Sequence, residues 1–155
     1  MVAFKNRYLL MEVFLDPDKD LLGERSPINL TQLNLSEAIR ESIRLNFGEC
    51  GLGSSQGSFQ VKYVNPITKV FIVRVSREDY RHVWSAMTMV RSVGNCRAVL
   101  NLLDLCGCIR ACRETALKCE EAKFEQRKLM SKTNLTDEEI QRMNLCLERI
   151  KLLEN

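Results

Sequence analysis

Two runs rich in β-branched and aromatic residues, Gln60-Val-Lys-Tyr-Val64 and Lys69-Val-Phe-Ile-Val-Arg-Val75, stand on either side of Asn65-Pro66-Ile67-Thr68. Pro66 presets φ at the second position of a turn, so the two runs read as an antiparallel hairpin. Strand side chains alternate, which places Phe71, Val73 and Val75 on one face and Val70, Ile72 and Arg74 on the other. One face is apolar throughout; the other carries a cation. Ser76 and Asp79 then cap a helix whose Tyr80, Val83, Trp84, Met87 and Val90 recur at spacings of three and four, and Gly94-Asn95 ends it. Trp84 reads as a core residue of that helix.

The flanking sequence supplies the remaining elements. Tyr8-Leu-Leu-Met-Glu-Val-Phe-Leu15, ended by Asp16-Pro17-Asp18, is a nearly continuous apolar run and reads as a central strand covered on both sides for most of its length. After a polar connection to Pro27, Asn34 and Glu37 form a capping-box-like start for a helix carrying Leu35, Ala38, Ile39 and Ile43, which must stop between Gly48 and Gly53. Gly51 to Gly57 reads as a flexible loop. Residues 98 to 106 supply a fourth strand. The order strand, helix, strand, strand, helix, strand predicts an α+β, ferredoxin-like (split βαβ, RRM-like) domain: a four-stranded antiparallel sheet with two helices on one face and the other face open.

A third helix from Ile109 to about Lys132 could cover part of that open face. Thr136 with Glu139 caps a fourth, with Ile140, Met143, Leu147 and Ile150 at heptad-like spacing. The expected organisation is a ferredoxin-like domain with its third helix over residues 1–132 and a C-terminal helix over 133–155. The last two helices fold back on the domain; a partner-binding helix is the alternative.

Charge is distributed unevenly. Residues 60 to 97 hold seven Lys or Arg against two acids, a net of +5, whereas the whole chain is +3, so the remainder is slightly acidic. With 155 residues, 45% hydrophobic and 28% charged, the chain suits one soluble domain. No apolar run approaches the roughly 20 residues of a membrane helix, and Glu12 interrupts the N-terminal apolar stretch with no cleavage site after it, so neither a membrane span nor a signal peptide is expected. Seven cysteines, an odd number, fit reduced thiols better than a disulfide framework.

Catalytic motifs are sparse. The lone His82 has no nucleophile placed near it by sequence context, and there is neither a phosphate-binding loop nor an acidic metal cluster. Cys106, Cys108, Cys112 and Cys119 could supply four thiolates, but 108, 112 and 119 fall almost on one line of a helix, which suits a core stripe better than a zinc knuckle. No catalytic residue, metal site or cofactor is therefore expected. Among the cations, Arg74 interrupts an apolar strand, Arg110 and Arg113 open the third helix where free N–H groups favour an anion, and Lys5 and Arg7 precede strand one. These groups either form one polyanion surface or pair with the chain's own acids. Strand three lacks the Gly and aromatic pattern with which an RNA-recognition motif stacks bases, so backbone and shape recognition of folded RNA is the better form of the RNA reading.

Several segments, in order, resemble a known family. They are Phe4-Lys-Asn-Arg-Tyr-Leu-Leu10, Val61-Lys-Tyr-Val-Asn65 with Thr68, the strand through Arg74, Tyr80 with Val83-Trp-Ser-Ala86, and Gly107-x-Ile-Arg110-x-Cys112. Together they resemble the small Pop-five-type protein subunit shared by ribonuclease P and ribonuclease MRP in archaea and eukaryotes, over residues 2 to about 120.

The resemblance implies a non-catalytic subunit of a ribonucleoprotein endonuclease whose RNA carries the metal-dependent cleavage of precursor transfer RNA and, for MRP, precursor ribosomal RNA. It implies contact with the catalytic RNA and with a TIM-barrel-like protein subunit, makes a second small subunit of similar fold a further candidate partner, and implies a place in the nucleus and nucleolus. RNA contact carries over to Lys5, Arg7, Arg74 and Arg110. An adaptor that binds proteins without touching RNA is the alternative. Two departures stand out: Cys106-Gly107-Cys108 replaces the Gly-Gly-Thr that relatives tend to have, and the region after about residue 125 lacks the strongly acidic tail of some relatives.

Overall fold

The computed structural model describes residues 5–16, 30–130 and 135–154. Phe4, the polar connection up to Pro27 and the expected boundary at 132–133 lie outside the described residues. Among the described residues, five strands and four helices follow in the order β1 (Asn6–Leu15), α1 (Gln32–Gln56), β2 (Gln60–Asn65), β3 (Val70–Ser76), α2 (Tyr80–Thr88), β4 (Ser92–Val93), β5 (Cys96–Cys106), α3 (Ile109–Met130) and α4 (Asp137–Lys151). All pairings are antiparallel, in the order β2-β3-β1-β5-β4. The α+β class stands, with five strands in place of the four expected. The added strand, β4, has only two residues, paired Ser92 with Arg97 and Val93 with Cys96 across Gly94-Asn95. Gly94 has φ +59, which at the first central position of a two-residue hairpin loop suits glycine. That turn therefore closes a hairpin, while α2 has already stopped at Thr88.

Strand β1 holds the centre. Its residues from Tyr8 to Val13 are buried, as an apolar run between two sheet neighbours and two helical layers requires. On one face Leu9, Met11 and Val13 pack with Phe71, Val73 and Val75 against Leu35, Ile39 and Ile43 of α1 and Val83, Ala86 and Met87 of α2. Trp84 is half-buried against this core. Buried Ser42 ties the two helices, its hydroxyl donating to the Ala86 carbonyl at 2.6 Å.

The opposite face of the four-stranded unit is closed by the last two helices, which fold back on the domain as expected. Tyr8, Leu10, Tyr63, Val70 and Ile72 pack against Cys112 and Ala116 of α3 and Cys146 and Ile150 of α4. The buried stripe of α3 runs Cys112, Ala116, Glu120, Phe124 at a spacing of four, so Cys112 joins the core while Cys108 is exposed and Cys119 sits at its edge. Helix α4 starts at the expected capping box: Thr136 Oγ1 accepts from Glu139 N and the Glu139 carboxylate accepts from Thr136 N. It buries Met143, Cys146 and Ile150.

Two expectations about α1 change. Its N-cap is Thr31, whose hydroxyl accepts from Asn34 N, while Asn34 Oδ1 accepts from Thr31 N; Asn34 is the third helical residue. The Gly-rich stretch is not a loop. The helix breaks at Gly48 (φ +72) and resumes to Gln56, because Phe47 and Leu52 on either side of the break both reach the core. Gly51 permits the close approach: a Cβ there would stand 2.5 Å from Phe47 Cβ. Gly51→Ala should therefore destabilise the fold by about 1–3 kcal/mol despite the higher helix propensity of alanine, measured by urea denaturation, whereas Gly53→Ala, with no neighbouring atom within 4 Å, should not.

Candidate nucleic-acid interface

Antiparallel pairing decides which cations meet. Asn6 pairs with Ser76 and Tyr8 with both Arg74 and Cys106, so β1 begins where β3 and β5 end. Lys5 and Arg7 at the start of β1, Arg74 near the end of β3 and Arg110 in the first turn of α3 therefore all lie at one end of the sheet. Arg77 belongs there too: its N–H donates to the Lys5 carbonyl at 2.8 Å. Sequence reading had no means of singling it out, because only the β1–β3 register reveals the neighbour.

The pleat then divides these groups between two faces. Arg7 shares the α1/α2 face with Leu9 and Met11, and Arg74 shares the α3/α4 face with Tyr8 and Ile72. Arg7 is half-buried, its Nη1 donating to the Asn6 carbonyl at 3.0 Å, while Lys5 is exposed. Arg110 is 83% exposed and stands 3.6 Å from Glu114, an ion pair of little energetic weight. Arg74 differs from all of them: it is half-buried, and its Nε is buried without a hydrogen-bond partner. A desolvated donor left unpaired costs about 1–3 kcal/mol, and an incoming acceptor recovers that cost. Burial pushes the Tyr8 hydroxyl above its ordinary range, opposed by the neighbouring Arg74 charge.

Arg113, one turn beyond Arg110, is used internally. Its Nη1 donates to the carbonyls of Lys151 at 3.3 Å and Leu153 at 3.1 Å, closing the C-terminal end of α4. Of the cysteines beside this end, two meet in the core and a third does not join them. Cys106 and Cys112 are buried thiols, Cys106 pushed up to about 11 by burial and by Asp104, and Cys112 raised by burial and by Cys106. Cys108 faces outward, its sulfur 3.5 Å from Ala111 N at the start of α3. No group of three or more His, Cys, Asp or Glu side chains able to hold a metal is found among the described residues. His82 is exposed and meets the Phe47 ring at 5.2 Å in a T-shaped contact that joins α2 to α1.

The family model described as "Rpp14/Pop5 family" matches residues 7–117, from β1 into α3. The chain belongs to the Rpp14/Pop5 family. It is 70% identical over 155 residues, 100% of both chains, to the "Probable ribonuclease P/MRP protein subunit POP5" of Arabidopsis thaliana. Its identity to the "Ribonuclease P/MRP protein subunit POP5" of Schizosaccharomyces pombe is 32%, over 84% of this chain and 96% of that one. For the human protein of the same description the figures are 30%, 89% and 81%. A chain in the "Cryo-EM structure of yeast Ribonuclease MRP" superposes with a TM-score of 0.53 at 12% identity, covering 81% of this chain and 98% of that chain, which shows a shared fold. The matched Rpp14/Pop5 span contains Arg7, Arg74 and Arg110; Lys5 lies just before it.

Because Arg113 faces the end of α4, Arg113→Ala should lower stability by about 1–2 kcal/mol in thermal denaturation.

Proposed function

We propose that this Rpp14/Pop5 chain is a non-catalytic, RNA-contacting subunit of the ribonuclease P/MRP ribonucleoprotein, supporting its RNA in the 5′ maturation of precursor tRNA and in precursor rRNA processing. Membership of the family and the names of the relatives support the assembly. The observation that carries the RNA contact is Arg74: a half-buried cation with an unsatisfied Nε, at the sheet end where Lys5, Arg7 and Arg110 also lie. A phosphate is an acceptor of suitable charge, and guanidinium presents several donors to it. The covered α3/α4 face leaves little room for base stacking on the sheet, so the contact is to backbone and shape. We read the fold as ferredoxin-like, since β1 lies between β3 and β5 with α1 and α2 on one face, and we place the chain in the nucleus and nucleolus.

The other end of the molecule suits protein partners, the adaptor reading in its strongest form. A groove between α1 and the β4–β5 hairpin exposes Phe14, Leu45, Met89 and Val99 beside Glu37 and Glu41. Arg91 and Arg97 also line it and Glu41 is paired with Arg44, so the rim is mixed in charge around exposed apolar side chains, a character that favours a protein surface. We assign this groove to the TIM-barrel-like subunit; a second small subunit of similar fold is the other candidate.

Both roles are separable in reconstituted enzyme. Arg74→Ala with Arg110→Ala should lower cleavage efficiency and weaken RNA binding at least tenfold with the fold intact. If roughly three phosphates are neutralised, log affinity of the wild type should fall with log salt at a slope of about −2 to −3. Unchanged cleavage and RNA affinity in the double variant, combined with loss of assembly in Phe14→Asp with Met89→Asp, would instead establish the adaptor.

A further inference from the structure

We propose that Glu120 is a proton-operated latch holding helices α3 and α4 on the second face of the sheet: neutral it stays closed, ionised it loosens.

The geometry is that of a carboxyl sealed between three elements. Glu120 lies on α3 with no exposed surface. From the loop between β2 and β3, Thr68 Oγ1 lies 2.9 Å from both carboxyl oxygens, and buried Asn65 Nδ2 donates to Oε2 at 3.0 Å. Asn65 also approaches Met143 Sδ of α4 at 3.8 Å. The same asparagine shapes its own turn, since its Oδ1 accepts from Ile67 N at 2.9 Å and its backbone carbonyl accepts from Lys69 N. Glu120 thus joins α3 to the hairpin turn at the point where α4 packs.

Among the described residues no cation is hydrogen-bonded to it. Lys123, one turn along α3, is engaged with Glu12 of β1 at 2.8 Å, and Glu12 also accepts from Asn101 at 3.0 Å. Glu12, Lys123 and an ionised Glu120 would leave one uncompensated negative charge between helix and sheet, whereas a protonated Glu120 leaves none. Both donors around Glu120 are neutral, and the Thr68 hydroxyl accepts as readily as it donates, so the protonated carboxyl keeps a partner.

Of the other titratable neighbours, the tyrosine and the two thiols are held toward their neutral forms and Glu12 is held ionised. Burial, and then Glu120 itself, push the Tyr63 hydroxyl of β2 far above its ordinary range. Cys119 of α3 and Cys146 of α4 are likewise raised by burial. Glu12 is desolvated, but its bonds from Lys123 and Asn101 prevail and hold it below the ordinary carboxylate range. Glu120 is raised to about 7, by burial that outweighs the opposing bonds from Thr68 and Asn65 and the charge of Lys123. A carboxyl raised in the folded state contributes stability that is complete below its unfolded range and is lost as pH climbs through about 7. The latch therefore tightens on acidification, and it governs the layer that carries Arg110 and borders Arg74.

The test is native-state hydrogen exchange across α3 and α4, corrected for intrinsic rates, at pH 5 and pH 8. The wild type should open roughly 50-fold more readily at pH 8, as proton linkage requires. Glu120→Gln, which keeps an acceptor for Asn65 and adds an amide donor, should abolish most of that difference. A wild type with flat protection, or a variant with the same pH dependence, overturns the proposal. Carbon-13 NMR titration of the Glu120 carboxyl in the wild type decides independently of any variant's folding: a midpoint in the ordinary glutamate range overturns it, and one near neutrality supports it. Neither readout requires RNA to bind.

Discussion

Everything else in the molecule depends on burying β1 from both sides. A six-residue run without solvent on either face can exist only with sheet neighbours at both edges and packing layers above and below. Strands β3 and β5 supply the edges, α1 and α2 one layer, and α3 and α4 the other. The second layer completes the core and converts what would be an open β-surface into an interior. It thereby confines polar chemistry on that face to the margins of the sheet, and the Arg74 margin is where the cations collect.

Three charged groups entered this interior under different terms. Glu12 has a lysine and an amide, and is held ionised. Glu120 has only neutral donors and is held toward its protonated form. Arg74 keeps a buried Nε with no acceptor. Glu120 is the more deeply buried of the two carboxylates and also lacks the lysine that Glu12 has, so burial and partners act in the same direction. The first is a structural bond; we read the second as sensitive to protons and the third as open to an acceptor outside the chain.

Local signals carried much of this fold into the sequence. The apolar run of β1, the Pro66 hairpin and the Thr136–Glu139 capping box depend on residues within a few positions of one another, and each was legible. The misplaced parts depend on distant contacts or leave too short a pattern to read. A helix through Gly51 and Gly53 contradicts propensity and exists because Phe47 and Leu52 both dock on the core. Strand β4, with two residues, has no periodicity to detect. Arg74 was visible at the site because it breaks an apolar alternation, and the family resemblance pointed to the same residue. Arg110 and Arg113 looked alike until the end of α4 claimed one of them. Lys5 and Arg77 became neighbours only through the register of β1 and β3, and Arg7 and Arg74 proved to flank opposite faces of the same end.

The central claim is that the Arg74 end of the sheet meets RNA, and ultraviolet crosslinking of the assembled ribonucleoprotein followed by peptide mapping tests it most directly. RNA adducts are expected on the segments around Lys5 to Arg7, Arg74 to Arg77, and Gly107 to Arg110. Adducts confined to the Arg91–Arg97 end, or to protein partners alone, would contradict it.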